Sequence, residues 1–488
     1  MTALTDTPSF LATRRGKLTL ALLCTVAFLD FVDGSIVNVA LPTIQRELGM
    51  SVPTLQWVTS GYLLTYGGLL LLGGRLADLL GRRRILIAGT VVIGLSSAFG
   101  GLADDSGLLI GARLAQGIGA ALMLPAALSI LTTSFREGSD RHTAVGIWGG
   151  AAGLASAAGV FLGGVITEGP GWRWVFYVNT PVCVLVLAAV PLLIPNDQRN
   201  EVRRGFDVLG TVLATSGLMT LVYGLVQAPE FGWGDARTLG LLAIAATLLV
   251  GFVVNERVTA DPLVPLSIFG IRGLAAANLT HLVIAAGMMS MFFFVTLYMQ
   301  TVLGYREFEA GLAYLPVSLT IGAAAGVATK FFARTGTRVF TVVGSLLCGL
   351  GVLLLSQMST DGSYLTDLLP GMLVMSVGAG AVFVANTTAA NAGVPADQAG
   401  LAAALLNTGQ QLGGALGLAV LTAVATSHTN AQLAAGHAAV EAMNAGFGRA
   451  LFVGGVIGVV AALLGLRTVN ARGDKNRSAG PASETLAV

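Results

Sequence analysis

The sequence predicts an all-α integral membrane protein, and three observations support this fold class. Of its 488 residues, 54% are hydrophobic and 11% are charged, whereas about 25% of the residues in an ordinary soluble domain are charged. Apolar residues form blocks of about 18 to 25, the length that crosses a ~30 Å hydrocarbon layer as a helix. Blocks such as residues 63–72 lack the alternation of apolar and polar residues that a membrane β-barrel needs.

We predict fourteen transmembrane helices, and the basic residues between them indicate their orientation. Basic residues concentrate on the cytoplasmic side of membrane proteins, and 21 of the 27 lysines and arginines fall on the side that carries both termini. Both termini are therefore predicted to be cytoplasmic. The predicted outer side carries Arg46, Arg173, Arg237, Arg306 and Arg449. The predicted spans are residues 18–41, 56–74, 85–102, 107–131, 142–166, 172–194, 208–227, 238–256, 273–300, 309–329, 339–357, 367–390, 401–425 and 447–467.

The longest polar breaks inside the chain divide these helices into three groups. Residues 195–207 and 255–272 bracket two helices, which leaves six spans before them and six after. This pattern is typical of membrane proteins built from two related halves around a central pathway. The predicted domains are 1–17 (cytoplasmic N-terminus), 18–200 (N-terminal six-helix half), 201–260 (two inserted helices), 261–468 (C-terminal six-helix half) and 469–488 (disordered cytoplasmic tail).

Sequence motifs occur in both predicted halves. They are LDFVDGSIVNVALP at 29–42, GRLADLLGRRR at 74–84, RLAQGIG at 113–119, WRWVFYVNTP at 172–181, YMQTVLG at 298–304 and NTGQQLGGALG at 407–417. Together they resemble the major facilitator superfamily, specifically its 14-helix drug:proton antiporter family, over nearly the whole chain. The resemblance implies a major facilitator fold with its fourteen helices arranged as 6 + 2 + 6.

The same resemblance implies a function. It is proton-coupled efflux of amphipathic drugs or other small molecules from the cytoplasm; the alternative is dedicated export of one endogenous substrate, such as an antibiotic, siderophore or lipid. The fifth span departs from the family pattern, because Val160 stands where a proline is usual. A proline bends a helix by removing a hydrogen bond and crowding the preceding turn, so this source of a kink is absent.

Three ionisable residues inside predicted spans are candidates for proton coupling. An ionisable side chain deep in a membrane costs ~2.5–3.5 kcal/mol on insertion scales, which makes each one a functional candidate. Asp30 and Asp33 lie three residues apart and share one helical face, and burial favours the neutral, proton-binding form of a carboxyl group. Arg113 lies at a depth of the fourth span that allows it to pair with Asp33. The resemblance implies a coupling role for Asp33 and Arg113; the alternative is a structural pair.

The turn after the second span contains a candidate conformational latch. Its arginines also fit a simple anchor at the cytoplasmic surface, but an anchor does not explain the acid or the glycines. The resemblance implies that this turn controls the conformational switch. The latch residues are Gly74, Asp78, Gly81 and Arg82.

Several polar and apolar residues are candidates for a substrate cavity. Methionine and aromatic surfaces adapt to varied apolar ligands. The alternative is that these methionine and aromatic residues serve helix packing or lipid contact. His281, inside the ninth span, titrates near neutral pH when unperturbed; the alternative role is hydrogen-bonded packing. The cavity candidates are Asn38, Met289, Phe293, Asn386, Gln410 and Gln411.

Other classes of protein lack support in the sequence. None of the three lysines has the Gly before it and the Ser or Thr after it that a phosphate-binding loop requires, and no catalytic or metal-ligand spacing occurs. We therefore expect no enzyme activity, no cofactor and no nucleotide or nucleic-acid partner. The expected energy source is a proton gradient. The expected partners are a small amphipathic substrate, protons and membrane lipid, with the chain acting as a monomer in a bacterial cytoplasmic membrane.

Overall fold

The computed structural model describes residues 10–135, 139–196, 207–392, 394–395 and 398–471. These residues form helices and connecting turns, without a β-strand among them, which confirms the predicted all-α class. The helices are α1 (Arg14–Leu48), α2 (Val52–Leu80), α3 (Arg82–Gly101), α4 (Ser106–Ser134), α5 (Ser139–Glu168), α6 (Arg173–Tyr177), α7 (Asn179–Leu193), α8 (Val208–Phe231), α9 (Ala236–Val258), α10 (Leu274–Leu297), α11 (Glu307–Ala313), α12 (Leu315–Thr335), α13 (Thr337–Leu355), α14 (Leu369–Asn391), α15 (Ala399–Ala434) and α16 (Ala439–Gly465).

Thirteen helical segments of the described chain are long and apolar enough to cross a membrane. Four of them combine shorter elements: α6 with α7, α10 with the π-helical turn Tyr298–Val302, α11 with α12, and α14 with the π-helical turn Tyr364–Leu368. The fifth predicted span falls on α5, some of whose side chains lie outside the described residues. The count of thirteen is therefore observed, and the fourteenth span, over α5, stays a prediction.

Several helices extend beyond the predicted spans because side chains cap their ends. The Ser51 side chain accepts a hydrogen bond from the Thr54 amide at the start of α2, and Asp105 does the same for Leu108 in α4. Such bonds satisfy amides that have no partner inside the helix. Helix α1 begins and ends outside its predicted span, and it includes Pro42 within its length.

The helices pack into two bundles. Helices α1 to α7 form the first and α10 to α16 the second, while α8 and α9 pack on each other and against α2 and α15. Glycine allows close approach: a Cβ on Gly417 of α15 would lie 2.4 Å from the Cα of Ala286 in α10. Close backbone contact of this kind drives helix association in lipid.

The turns after α2 and α12 have matching backbone conformations. Gly81 (φ +100°) and Gly336 (φ +83°) each separate two helices, and both adopt a positive φ that favours glycine. Neither glycine can cap the helix that follows with a side chain. The turns after α2 and α12, one in each predicted half, therefore share this local geometry.

The chain that follows α16 caps α13 from a distance. The Thr337 amide donates to the Ala471 carbonyl (3.0 Å), and the Arg338 amide donates to Asn470 Oδ1 (3.1 Å). Arg338 Nε also donates to the Thr468 carbonyl. We predicted a disordered tail from residue 469; Val469–Ala471 are instead hydrogen-bonded to α13, and residues 472–488 lie outside the described residues.

Replacement of Asn470 by alanine should destabilise the protein by about 1 kcal/mol, the usual effect of removing a helix N-terminal cap. The Arg338 amide would lose its acceptor. Thermal unfolding of the purified protein in detergent measures the change. Asn391→Ala is the control, since that exposed amide bonds only to the Thr387 carbonyl in its own helix; equal destabilisation by both variants would contradict the capping role.

Candidate functional site

A buried ion pair joins α1 to α4 inside the first bundle. Arg113 Nη1 lies 2.9 Å from Asp33 Oδ2, and the two residues are only 1% and 3% exposed. Arg113 Nε also donates to the Val58 carbonyl of α2 at 2.8 Å. Three helices are thus held together by one guanidinium group, as the depths of Arg113 and Asp33 in their predicted spans allowed.

Two amide side chains complete the surroundings of Asp33. Asn179 Nδ2 lies 2.6 Å from Asp33 Oδ1, and Gln116 Nε2 lies 3.1 Å from the same oxygen. Gln116 also donates to Ser97 Oγ at 2.7 Å and accepts from Arg113 at 2.8 Å. Charge-assisted hydrogen bonds of this kind stabilise an ionised carboxylate that has been removed from water.

Asp30 lies one turn before Asp33 but has different partners. The Tyr66 hydroxyl lies 3.1 Å from Asp30 Oδ2, and the Tyr62 hydroxyl lies 3.4 Å from Asp30 Oδ1. The Tyr62 ring also packs against the Arg113 guanidinium, 4.3 Å from its centroid. Asp30 is 4% exposed, so this second carboxyl group is also enclosed by protein.

Sequence reasoning missed five polar residues of this cluster. Two of them had a signal, because Gln116 lies in the quoted motif of the fourth span and Asn179 in that of the sixth. The others look like ordinary helix residues, and only the packing of α2 and α3 on α1 and α4 reveals them. They are Ser97, Tyr62 and Tyr66.

The predicted latch residues lie at the opposite end of the bundle from Arg46. Arg82 and Asp78 approach to 4.0 Å across one helical turn, and the Asp78 side chain is 59% exposed. Gly74 faces Pro125 of α4, and Gly81 separates α2 from α3. The four residues thus lie at or near the turn between α2 and α3, and the Asp78 side chain is exposed.

The predicted cavity residues are divided between two regions. Gln411 and Met289 lie where the bundles meet, because Gly67 of α2 packs on Gln411, and Gly414 lies against both Met289 and Leu63. Asn38 donates to the Gly34 carbonyl of its own helix. Phe293 is fully buried against Phe294 within the apolar core.

His281 contacts one of the remaining candidates, Gln410, in the second bundle. Its Nε2 lies 3.2 Å from Gln410 Oε1, and its ring meets Phe383 edge-on at 4.7 Å. Asn386 Nδ2 donates to the Ala277 carbonyl at 3.3 Å, while its Oδ1 is buried without a hydrogen-bond partner. Among the described residues, no group of three or more potential ligands could hold a metal ion.

Polar contacts between the bundles cluster at the end predicted to be outside. Glu307 accepts hydrogen bonds from Thr43 and, at 3.1 Å, from Arg46. Arg306 pairs with Glu168 at 3.0 Å. We call this group of Thr43, Arg46, Glu168, Arg306 and Glu307 the outer contact. Sequence analysis placed Arg46 and Arg306 on this side but gave no signal of their partners.

Comparisons with known proteins agree with this architecture. Residues 23–418 match the profile of the Major Facilitator Superfamily, and the chain belongs to that family. It is 40% identical to the puromycin resistance protein pur8 of Streptomyces alboniger over 85% of this chain and 83% of that protein. It is 42% identical to the cephamycin export protein CmcT of Amycolatopsis lactamdurans over 84% and 85%. The lincomycin resistance protein of Streptomyces lincolnensis is 37% identical over 84% of each chain.

Solved structures show the same fold at low sequence identity. A bacterial homologue of the human lysosomal transporter Spinster superposes with a TM-score of 0.67 and 16% identity, covering 93% of this chain and 97% of that one. The human organic anion transporter MFSD10 gives a TM-score of 0.61 at 15% identity, covering 93% and 100%. Together with the family match and the relatives at 37–42% identity, this fold makes the chain a multi-pass membrane transporter and not an enzyme.

Removal of one member of the buried pair should destabilise the protein strongly. Asp33→Asn leaves the Arg113 charge uncompensated, at a cost of about 3–5 kcal/mol. The double variant Asp33→Asn/Arg113→Met should lose less stability than the sum of the two single changes, because no buried charge remains. Unfolding in detergent measures both effects. Asp104→Asn, at a 90% exposed partner of Arg173, is the control, with an expected change below about 1 kcal/mol; strict additivity would contradict the pairing.

Proposed function

We propose that this protein exports small amphipathic molecules, antibiotics among them, from the cytoplasm in exchange for protons. The observation that carries the proposal is the buried cluster of Asp30, Asp33 and Arg113, which places proton-binding groups and a balancing charge inside the first bundle. Relatives named for antibiotic resistance or export match more than four fifths of the chain. Their names support efflux, and the cluster supports coupling to protons.

The proposed architecture is two six-helix halves with an inserted pair, as 6 + 2 + 6. It treats α5 as the fourteenth span and α8 with α9 as the inserted helices. The concentration of basic residues on one side supports cytoplasmic termini and a location in a bacterial cytoplasmic membrane. We place the chain there as a monomer, with a proton gradient as its only energy source and with lipid, protons and substrate as its partners.

In the proposed transport cycle, the protein alternates between a state closed to the outside and a state closed to the inside. The outer contact supports a state closed to the outside. In the same state, Gly146 and Gly150 of α5 and Gly322 and Gly326 of α12 have open space where a side chain would project, which fits separation of the bundles further inward. We assign the exposed Asp78 and Arg82, with Gly74 and Gly81, to the latch that forms when the inner side closes.

We assign substrate contact to the interface between the bundles. Met289 and Gln411 lie there, and we assign Asn38, His281, Gln410 and Asn386 to the same substrate path. A flexible methionine beside amide groups suits ligands that combine apolar and polar surfaces. We assign Phe293, which is buried in the apolar core, a packing role behind these residues.

Export should depend on the proton gradient. One charge moved through 100 mV supplies ~2.3 kcal/mol, or roughly 40-fold accumulation. Ethidium and puromycin uptake into everted membrane vesicles, with and without an agent that collapses the gradient, measures this. Uptake unaffected by collapse would refute proton antiport. Vesicles with the exposed-site variant Asp104→Asn serve as the positive control. Transport restricted to one member of a varied substrate panel would favour the alternative function, dedicated export of one substrate.

Weakening of the outer contact should shift the protein towards the state open to the outside. Glu307→Gln removes a pair whose arginine is 68% exposed, so the expected effect is about 0.5–1 kcal/mol, or about two- to fivefold. The measurement is the labelling rate of Asn38→Cys, in a background without native cysteines, by an impermeant maleimide from outside. Arg237→Gln, a change within the inserted pair, is the matched control. An unchanged rate in Glu307→Gln would show that the contact does not hold the outer side closed.

A further inference from the structure

The two buried carboxyl groups differ in the chemistry of their partners. Among the described residues, Asp33 receives N–H donors alone: a guanidinium at 2.9 Å and amide groups at 2.6 and 3.1 Å. From the same described residues, Asp30 receives hydroxyl groups alone, from Tyr66 and Tyr62. An arginine N–H or an amide NH₂ can donate but cannot accept, whereas a tyrosine hydroxyl can do either. This difference decides which carboxyl group accommodates a proton without rearrangement.

Two of the donors around Asp33 are fixed in orientation. Gln116 Oε1 accepts from Arg113, so its Nε2 must face Asp33 and Ser97. Arg113 is held by the Val58 carbonyl as well. A proton on Asp33 Oδ2 would point at the Arg113 guanidinium, which cannot accept it, and it would leave that buried charge without its counter-charge. The local geometry therefore favours an Asp33 that stays ionised.

The hydroxyl groups around Asp30 suit both of its protonation states. They donate to the carboxylate, and after a rotation about the C–O bond one of them can accept from the carboxylic acid. No Lys, Arg or His side chain among the described residues forms an ion pair with Asp30. The ionisable groups that face it are Tyr62 and Tyr66 of α2 and Asp33 of its own helix, with Arg113 of α4 behind the Tyr62 ring; Cys183 of α7 lies on the Asp33 side.

The tyrosines also connect Asp30 to the contact between the bundles. Tyr62 and Tyr66 alternate along α2 with Leu63 and Gly67, and these two residues pack on Gly414 and Gln411 of α15. Any movement of α15 against α2 therefore acts on the helix that supplies both hydroxyl groups. The direct partners of Asp33 come instead from α4 and α7.

We propose that Asp30, and not Asp33, is the carboxyl group that gains and loses the transported proton, while Asp33 remains the permanent counter-charge of Arg113. A proton from water forms an O–H bond with Asp30 on one side of the membrane, and that bond breaks to return the proton to water on the other. The tyrosines reverse their hydrogen bonds and stay neutral, so the balance needs no further reactant. The inference rests on the proposed proton antiport and assigns its proton site.

Infrared titration of the full-length protein in detergent tests this assignment without a substrate. The C=O stretching band of a protonated buried carboxyl group should appear in the wild type as the pH is lowered and disappear as it is raised. Asp30→Asn should abolish the band. Asp33→Asn/Arg113→Gln removes the other acid together with its counter-charge, and it should retain the band. Loss of the band in the double variant, or its persistence in Asp30→Asn, would overturn the proposal, as would a wild type in which no buried carboxyl group titrates.

A conservative variant separates proton binding from a structural role. Tyr66→Phe keeps the ring and removes one hydroxyl group, so the band should move to higher frequency because the neutral carboxyl group loses a hydrogen bond. Tyr223→Phe on α8, a tyrosine that packs against Trp57, should leave the band unchanged. An unchanged band in Tyr66→Phe would contradict the assignment. Gradient-dependent uptake in vesicles reports separately on antiport. If uptake did not depend on the gradient but the Asp30 band titrated as expected, antiport would be refuted and the assignment of the proton-binding group to Asp30 would stand.

Discussion

The arrangement of the first bundle depends on one interaction, the ion pair of Arg113 and Asp33, both of which are buried between the helices. Charges removed from water cost several kcal/mol each unless they are paired and hydrogen-bonded. The chain meets this requirement with the Val58 carbonyl and with the amides of Gln116 and Asn179. Because these groups come from α1, α2, α4 and α7, satisfying one pair fixes the relative positions of four helices.

This requirement also explains why the two acids of α1 are not equivalent. A carboxylate that anchors four helices is poorly suited to lose its charge in every transport cycle, since the helices would lose their shared partner. Asp30 contributes to no ion pair in the described structure, and its hydroxyl partners come from one helix. Separation of anchoring from proton exchange would allow the charge on α1 to change while the bundle keeps its form.

Much of this architecture is predictable from the sequence, because apolar block length and basic-residue asymmetry are one-dimensional properties. The proximity of Asp33 and Arg113 was also predictable, since both lie at similar depths in their spans. The hydroxyl partners of Asp30 were not, because Tyr62 and Tyr66 resemble any aromatic residues in an apolar helix until the packing of α2 is known. The partners of Arg46 and Arg306 were missed for a related reason: Glu307 and Glu168 lie more than 100 residues from the groups they bind, and contacts at such separations leave no local pattern.

The cap on α13 has a consequence for biosynthesis. Arg338 finds its acceptor in Asn470, 132 residues further along the chain, so the start of α13 cannot be completed until the ribosome has passed Asn470. The ion pair of the first bundle involves no residue after Arg113, and its amide partners end at Asn179. The first bundle can therefore assemble earlier in translation, whereas the second remains unfinished at its inner turn until Asn470 has been made.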